Sequence, residues 1–578
     1  MSRAVDRLPS HLKSFIDQQD YAKYTPRDHA VWRYILKQNV NYFGKHGFAV
    51  SEYANGLNLT GISLDGIPKI TDMDALLDKF GWGAVPVCGF IPPVAFLEFQ
   101  SYGVLPIAHN MRSVDHIGYT PAPDIVHESA GHAPILVNDI FAEYLKKYAL
   151  IAGKAISSKK YIQQYEAIRK LSDLKELPGI PSIEIEKAEN ELYQLSGEFD
   201  DVSESSQVVR LYWWTAEYGL FGDMDSPKVF GAGLLSSVDE SQNCLKKEVK
   251  KIPFSIEAIN YSYDITKPQP QLFVVRKFEE LIDTLDEMEK LLSYRIGGEY
   301  GIKKGIASET VVTLQWDNNA FVSGIIKTYV KLSSNLQYIT VESPCQVAYE
   351  NKIIEDNISF LNREFILPVG LPQKMYGNGI LKSLNQLKQG ENVVCEFTQG
   401  FSIEGKLAKI FSDKASIGML GLENAKVHLN GKIKLFEKYY FPIGLKIVSV
   451  CGGPFFQDTF TNYEIGKAST KPIVDTNYTD RELALFETYD KVHALEKNMK
   501  PGEFKRLCSF VDLIFTQYDK EWLLWLEVLS MFKNNLKGNF EISSMIQELN
   551  QKMEEAGNNL TSTEKELLKK GLRVLNDQ

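Results

Sequence analysis

The stretch that decides the fold is YTPAPDIVHESAGHAPIL, residues 119–136, which places His127 and His132 five positions apart. On an ideal α-helix, five residues advance by about 500°, so the two side chains point about 140° apart and cannot share one metal ion. Gly131 can adopt backbone angles that distort a helix, and Pro134 opposes its continuation. We therefore expect an irregular turn that brings the imidazoles together. The spacing also fits two histidines with purely structural roles.

A carboxylate that could complete a metal site lies in RLYWWTAEYGLFG, residues 210–222. Glu217 is the single acid of this aromatic and apolar run, and an unpaired carboxylate buried there would be costly. A metal ion would offset that cost, and so would an ion pair with Arg210 or an exposed position on an amphipathic helix. Two imidazoles and one carboxylate with open positions fit both a non-haem Fe(II) oxygenase and a catalytic zinc site.

The bulk composition is that of an ordinary globular chain of 578 residues, long enough for about two to four domains. The net charge of −10 is small for this size and argues against a nucleic-acid-binding surface. No apolar run could span a bilayer, and the N-terminus lacks the apolar centre of a signal peptide. The six cysteines form no CxxC pair, so we expect a cytoplasmic protein with reduced thiols.

The first half of the chain, residues 1–300, has mainly helical patterns, such as YTPRDHAVWRYILKQNVNYF and TDMDALLDKFGW. The run from Val274 to Leu292 carries one apolar stripe and predicts a helix that stops at Gly297-Gly298. A Lys/Glu-rich stretch over about residues 154–206 is divided by LPGIP into two surface helices, and we interpret it as an insertion or lid hairpin.

The second half changes character. Residues 306–474 contain β-branched and aromatic runs separated by Asn, Gly and Asp turns, which predicts a β-rich domain of unknown role. Helical periodicity returns over residues 479–578, where Thr479 and Glu482 offer a capping box. We therefore expect a multidomain protein with a mainly α-helical catalytic domain, a β-rich domain and a C-terminal helical region.

These residues and their surroundings resemble the pterin-dependent aromatic amino acid hydroxylases. The family's TPxPDxxHExxGHxP segment is matched at nine positions: Thr120, Pro121, Pro123, Asp124, His127, Glu128, Gly131, His132 and Pro134. Three more segments match in order: GWGAVPVCGFIPPVAF (residues 81–96), YWWTAEYGL (212–220) and GAGLLSS (231–237). The resemblance covers about residues 80–297. Because it begins near Phe80, we expect no N-terminal regulatory domain of the kind that animal members have.

The resemblance implies an enzyme that hydroxylates the ring of an aromatic amino acid with O₂ and a tetrahydropterin. Fe(II) would be held by His127, His132 and Glu217. Trp213 and the similarity to bacterial members imply conversion of L-phenylalanine to L-tyrosine, with tryptophan or tyrosine as alternative substrates. A zinc hydrolase with Glu128 as general base, and a binding protein that does not use its metal site, are the remaining alternatives.

The resemblance also assigns the supporting residues. Those expected to bind the amino acid are Arg112, which grips its carboxylate, Asp124, which orients Arg112, and Thr120, Pro123 and Trp213, which line the site. Those expected to bind the pterin are Gly89 and Ile91 by backbone, Phe96 by stacking, and Glu128 and Tyr212 by side chain. Ser236 is expected to hydrogen-bond a ligand histidine. Without the resemblance, Arg112 fits a surface residue, Asp124 a helix cap, Trp213 core packing and Ser236 a turn.

The chain departs from the family in the region expected to bind the pterin. Pro106 stands where a histidine often contacts the pterin, and Pro92 and Pro93 stand where animal members have serines. Ser129 and Ala130 are smaller than the residues usual between the histidines. The details of pterin binding are therefore expected to differ, whereas the metal ligands are retained.

Overall fold

The structure is a computed structural model. It describes residues 3–48, 53–89, 91–118, 120, 123–176, 180–197, 203–263, 268–354, 364–398, 400–412, 417–457, 460, 478–498, 504–535 and 540–577. The sequence features that lie partly outside this set are the opening stretch at Tyr119, Pro121 and Ala122, the 81–96 segment at Phe90, the first three residues of LPGIP, and parts of the predicted β-rich region, including residues 461–474. In the described residues, no helix has the length and apolar character needed to cross a membrane.

The first half is mainly helical and carries short strands. Its elements are α1 (Arg3–Asp6), α2 (Ser10–Lys13), α3 (Pro26–His46), α4 (Tyr53–Leu59), α5 (Ile70–Leu77), β1 (Gly83–Val87), α6 (Pro93–Ser101), β2 (Val104–Ala108), α7 (Asp139–Ala152), α8 (Lys159–Glu176), α9 (Ser182–Gly197), α10 (Glu204–Tyr212), β3 (Leu220–Phe221), β4 (Lys228–Val229), α11 (Ala232–Ser236), α12 (Val238–Asn243), β5 (Lys250–Pro253), β6 (Gln271–Val275), α13 (Glu279–Leu291), α14 (Ser293–Ile296) and α15 (Gly298–Ser308). Two π-helical turns, Val126–His132 and Trp213–Glu217, interrupt this series.

Helix α3 is the long central helix of this half. Thr25 and Asp28 form a reciprocal capping box at its start, and Pro26 occupies its first position. Its buried face includes Trp32, Ile35 and other residues of the largest hydrophobic core. The helical prediction for this segment, and that for the segment of α5, are confirmed.

The predicted helix over Val274–Leu292 is wrong at its start. Val274 and Val275 belong to β6, which runs parallel to both β3 and β5. A valine side chain suits a paired strand better than a helix because its branched Cβ restricts χ1, and the periodicity alone did not separate the two. The helix α13 begins at Glu279. Gly297 then separates α14 from α15 and does not end the helical region.

The β-rich part forms two antiparallel sheets. Its strands are β7 (Val311–Trp316), β8 (Ala320–Leu332), β9 (Asn335–Tyr349), β10 (Lys352–Ile353), β11 (Glu364–Pro368), β12 (Lys374–Gly377), β13 (Ile380–Leu381), β14 (Asn392–Thr398), β15 (Phe401–Ser412), β16 (Ile417–Leu429), β17 (Lys432–Pro442) and β18 (Ile447–Gly452). One sheet has the order β10-β9-β8-β7-β18 with β11 also on β9, and the other has the order β13-β12-β14-β15-β16-β17. Phe365 of the first sheet contacts Phe436 of the second, so the sheets share a core.

The C-terminal part is helical and packs on α3. Its helices are α16 (Asp480–Asn498), α17 (Phe504–Gln517), α18 (Trp522–Asn534), α19 (Phe540–Gly557) and α20 (Ser562–Asp577). The predicted capping box is confirmed, since Glu482 accepts from the Thr479 backbone N–H at 2.7 Å and Thr479 accepts from that of Glu482 at 3.3 Å. Residues of these helices belong to the same hydrophobic core as α3. The predicted division of the chain into three domains stays a prediction.

Candidate metal centre

The two histidines of the opening stretch lie on a π-helical turn. In a π-helix the hydrogen bond closes from residue i to residue i+5, which brings residues five apart to the same side. The imidazole rings of His127 and His132 are 5.0 Å apart between centroids. The expected irregularity is therefore present as a π-helical turn and does not end the helix. The backbone continues into a 3₁₀ helix, Ala133–Val137, which contains Pro134.

Gly131 serves this turn through its small size and has no left-handed backbone angle. A Cβ atom at Gly131 would lie 2.8 Å from the carbonyl oxygen of Ala232 in α11. A Cβ atom at Gly231 would lie 2.4 Å from the carbonyl oxygen of Glu217. The glycines of the GHxP and GAGLL segments thus allow α11 to approach both π-helical turns closely.

Glu217 lies at the end of the second π-helical turn, where the backbone N–H of Tyr218 donates to the carbonyl oxygen of Trp213 at 2.8 Å. Its Oε2 is 3.4 Å from Nε2 of His127, and its Oε1 is 3.2 Å from Nε2 of His132. Arg210 is not its partner, because that guanidinium donates to the carbonyl oxygen of Ile259 at 3.1 Å. The three residues predicted to bind metal are therefore close together.

Burial and neighbouring charges act in opposite directions on the pKa values of these three side chains. Burial lowers the pKa of His127 to about 4, although the charge of Glu217 acts in the opposite direction. For His132, burial lowers the pKa, but the Glu217 charge outweighs it and the net shift is upward. Burial alone would raise the pKa of Glu217, but the two histidines outweigh it and hold that pKa below its ordinary value. Glu217 is therefore a carboxylate at neutral pH.

Glu128 is a second carboxyl group near the histidines. Ligand atoms of His127, Glu128 and His132 lie within 4.8 Å of one another. However, burial raises the pKa of Glu128 to about 8, so this side chain is mostly protonated at neutral pH. Nε2 of His132 and Oε2 of Glu128 are buried and have no hydrogen-bond partner among the described residues. The unpaired Nε2 of His132 therefore faces the ionised carboxylate of Glu217, and these two groups are donors that fit a divalent metal ion.

The other nitrogen of His127 contacts Ser236. Its Nδ1 lies 2.9 Å from the Ser236 hydroxyl, which is buried at the end of α11. A hydrogen bond at Nδ1 fixes the orientation and the tautomer of an imidazole, so that Nε2 can face a metal ion. The hydrogen bond expected between Ser236 and a ligand histidine is therefore present, and the histidine is His127.

Arg112 and Asp124 form a buried bidentate ion pair. The Nε and Nη2 of Arg112 donate to the two carboxylate oxygens at 2.7 Å each, and the side chains are 1% and 2% exposed. Asp124 also accepts from the backbone N–H of His127 at 3.0 Å, so it acts as a helix cap as well. Arg112 donates further to the carbonyl oxygen of Ser236 at 3.1 Å. Arg112 is thus a buried residue of the centre and not a surface residue.

The remaining residues expected to line the amino acid site differ in their surroundings. The Trp213 indole stacks with Tyr218 at 4.6 Å and with Tyr263 at 4.2 Å between ring centroids. Trp213, the first residue of the second π-helical turn, therefore belongs to an aromatic stack. Thr120 and Pro123 are half-buried on the segment that leads into the first π-helical turn.

Three of the residues expected to contact the pterin surround His132. The ring of Phe96 is 6.1 Å and that of Tyr212 is 6.4 Å from the imidazole centroid, and Oε2 of Glu128 is 4.0 Å from its Nε2. Gly89 and Ile91 lie before α6, where the Gly89 N–H donates to Oδ1 of Asn110 at 2.9 Å. Pro106 is buried in β2, opposite Val85 of β1.

Several residues near the centre were not found from the sequence. Tyr53 donates to the carbonyl oxygen of Ala130 inside the first π-helical turn at 2.7 Å. Gln100 donates to the Tyr212 hydroxyl at 3.0 Å. Gln100 gave a usable signal, since it is an amide in the apolar helix PVAFLEFQS. Tyr263 and Asn110 gave none, because nothing near them in the sequence indicates what they contact.

The chain belongs to the biopterin-dependent aromatic amino acid hydroxylases, because the model of that family matches residues 14–169 and 192–331, half of the chain. The match begins near residue 14 and not near residue 80, and it extends past residue 300. It leaves out residues 170–191 of the Lys/Glu-rich stretch.

The relatives found by comparison include phenylalanine hydroxylases. The chain is 29% identical to the phenylalanine-4-hydroxylase of Mesorhizobium japonicum over 46% of this chain and 82% of the relative. It is 27% identical to that of Chromobacterium violaceum over 48% of this chain and 78% of the relative. A crystal structure of the latter enzyme with iron(III) and 7,8-dihydrobiopterin covers 50% of this chain and 92% of that chain, with 24% identity and a TM-score of 0.38.

Family membership confirms the predicted enzyme, an aromatic amino acid hydroxylase similar to phenylalanine 4-hydroxylases. The family is biopterin-dependent, which agrees with the predicted tetrahydropterin cofactor. The zinc hydrolase and the non-catalytic binding protein do not agree with this membership.

Proposed function

We propose that this protein hydroxylates L-phenylalanine to L-tyrosine at an Fe(II) ion held by His127, His132 and Glu217. The observation that carries the proposal is the approach of both Nε2 atoms to the two oxygens of one ionised carboxylate, at 3.4 and 3.2 Å. Two imidazoles and one carboxylate leave three coordination positions open, as non-haem Fe(II) oxygenases require.

The metal, when bound, supplies the activation of O₂ with electrons from the pterin. The chain's own residues orient the reactants. Ser236 holds the ring of His127 through Nδ1 at 2.9 Å. Asp124 and the Ser236 carbonyl use three N–H groups of Arg112. A guanidinium has five, so one N–H on each terminal nitrogen is left to bind the carboxylate of the amino acid bidentately.

The pterin is proposed to bind beside His132. Phe96 and Tyr212 offer rings at 6.1 and 6.4 Å from that imidazole, and Glu128 is mostly protonated there because burial raises its pKa to about 8. A protonated carboxyl group can donate a hydrogen bond to a ring nitrogen or carbonyl of the cofactor. Gly89 and Ile91 would contact the cofactor through their backbone.

Phenylalanine is proposed as the substrate because the relatives above are named phenylalanine-4-hydroxylases. The aromatic stack of Trp213, Tyr218 and Tyr263 offers an apolar wall, which suits a ring without polar groups. Thr120 and Pro123 are proposed to line the same side. A cytoplasmic location is proposed because the described cysteines Cys244, Cys395 and Cys451 form no disulfide.

The test is product analysis with Fe(II), tetrahydrobiopterin and phenylalanine, tyrosine and tryptophan competing in one tube. We expect tyrosine as the main product. His132→Ala should lose both bound iron and activity, and His428→Ala, which removes a half-exposed histidine of the β-rich part, should lose neither. Hydroxylation of tryptophan in preference to phenylalanine would overturn the substrate, and full iron binding by His132→Ala would overturn the ligand set.

A further inference from the structure

The hairpin formed by α8 and α9 contacts the segment proposed to hold the pterin. We define the pterin loop as residues 88–92 between β1 and α6, of which Phe90 lies outside the described residues. The hydroxyl of Tyr165 on α8 donates to the carbonyl oxygen of Ile91 at 2.8 Å. On the other side, the Gly89 N–H donates to Asn110 at 2.9 Å. Among the described residues, the pterin loop is thus held at Gly89 and at Ile91, and the contact at Ile91 belongs to the hairpin.

The outer part of the hairpin is absent from the family pattern. Residues 170–191, which the family match leaves out, include the end of α8 and the first half of α9. Ion pairs of Lys170 with Glu191 at 2.7 Å and of Lys175 with Glu189 at 2.8 Å join the two helices. These pairs are exposed and each contributes little stability. The hairpin must therefore be held in place mainly by its base.

The base of the hairpin is fixed to both the helical and the β-rich parts. Buried Glu204 accepts from the backbone N–H groups of Ile156 at 3.1 Å and of Ser293 at 2.8 Å. The Ser157 carbonyl accepts from the hydroxyl of Thr310 at 2.8 Å, which lies just before β7. The Lys154 carbonyl accepts from Gly452 of β18 at 3.0 Å. Such a base fixes the start of α8 relative to both parts.

A second tyrosine of α8, Tyr161, lies near Tyr263. Tyr161 lies four residues before Tyr165, and residues at this spacing share one face of a helix. Burial raises the pKa of Tyr161 well above its ordinary value, and the nearby hydroxyls of Tyr263 and Tyr165 add to the effect. Tyr263 is the ring that stacks on Trp213 at 4.2 Å. One face of α8 therefore extends from the pterin loop to the aromatic stack.

We propose that the α8–α9 hairpin braces the pterin loop, with Tyr165 as a positioning residue that sets the affinity for the pterin. This inference rests on the proposed function, since it takes the pterin loop to bind the cofactor. A loop already fixed in its bound conformation loses less conformational entropy when the ligand binds, so its affinity is higher. Thr310 and Gly452, next to and within the β-rich part, hydrogen-bond the base of the hairpin and so help to fix its position.

The test is Tyr165→Phe, which keeps the ring and removes only the hydroxyl that contacts Ile91. We expect the KM for tetrahydropterin and its dissociation constant to rise about three- to tenfold, the effect of one lost hydrogen bond. The KM for phenylalanine and kcat at saturating pterin should stay unchanged. The matched control is Tyr193→Phe, because Tyr193 is a tyrosine of α9 that is 79% exposed. It should change nothing.

The outcomes separate this inference from the proposed function. Hydroxylation of phenylalanine by the unaltered protein tests the proposed function alone. With that activity present, an unchanged pterin KM in Tyr165→Phe would overturn the brace. An equal rise in the KM values for pterin and for phenylalanine, together with a lower melting temperature, would overturn it as well. That result would indicate a general packing role for Tyr165. A selective rise in the pterin KM supports it.

Discussion

Two buried arginine–carboxylate pairs, in different regions of the molecule, use the same chemistry for different ends. Arg112 and Asp124, beside the metal centre, are 1% and 2% exposed. Arg33 on α3 and Glu527 on α18 are 3% and 6% exposed, with Nε and Nη2 donating to one oxygen at 2.9 and 2.6 Å. The first pair joins residues 12 apart in the chain, and the second joins residues 494 apart.

The surroundings of the two guanidinium groups differ. Arg33 donates its Nη1 to the carbonyl oxygen of Asp65 at 3.2 Å and joins the C-terminal helices to the helical half. Arg112 is beside the ligand network, because its Nη1 meets the carbonyl of Ser236, whose hydroxyl contacts His127. The pair of Arg33 and Glu527 therefore stabilises the packing of α18 on α3. The pair of Arg112 and Asp124 orients the guanidinium that is proposed to bind the amino acid. Burial and distance alone do not distinguish the two roles.

The largest effect is expected from breaking the pair between α3 and α18. Glu527→Leu leaves the guanidinium of Arg33 buried without its counter-charge, so the free energy of unfolding should fall by about 3–5 kcal/mol. Urea denaturation followed by circular dichroism measures it. The double variant Arg33→Met/Glu527→Leu should recover most of the loss, and the KM for phenylalanine should stay unchanged. A single variant as stable as the unaltered protein would show that this pair does not hold the C-terminal helices.

A smaller effect, of a different kind, is expected at the other pair. Arg112→Lys keeps the charge but loses the planar fork, so the KM for phenylalanine should rise about 10- to 100-fold through weaker carboxylate binding. Steady-state kinetics at saturating pterin measure it. Arg33→Lys is the matched control: it should lower the melting temperature without a change in KM. If both lysine variants altered only stability, the binding role of Arg112 would be contradicted.

The sequence reached the first pair and missed the second for a physical reason. The pair of Arg112 and Asp124 was expected from the family resemblance, which covers the continuous segment that contains both residues. The residues alone fitted a surface arginine and a helix cap. The pair of Arg33 and Glu527 depends on the packing of α18 against α3, which no local pattern encodes.

The same contrast holds for the centre and its surroundings. The three ligand candidates were found from their local segments, although the π-helical form of the turns was not. Tyr165 was missed because only the folded hairpin brings it to Ile91. Val274 was assigned to a helix because a short apolar run fits a strand and a helix equally well.

The smallest effect is expected at Glu496 on α16, where the C-terminal helices meet α3 again. Burial raises the pKa of this side chain, but the nearby His493, the charge of Lys37 and a hydrogen bond from Ser530 outweigh it and bring the pKa to about 2. A folded-state pKa below the ordinary value of 4.5 means that the carboxylate stabilises the fold at neutral pH. This contribution, about 1 kcal/mol after allowance for solvent screening, is lost as the pH falls from about 5 to 2.

Glu496→Gln should therefore be less stable than the unaltered protein at pH 7, and the difference should vanish as the pH falls to about 2. Urea denaturation at a series of pH values measures it. Glu487→Gln is the matched control, because Glu487 lies on the same helix with its side chain 74% exposed. It should show no such pH-dependent difference. The difference in the free energy of unfolding between Glu496→Gln and the unaltered protein could instead stay constant down to pH 2. Glu496 would then act through packing or neutral hydrogen bonds. In that case the charge of Glu496, unlike the charges of Arg33 and Glu527, would not hold the helices together.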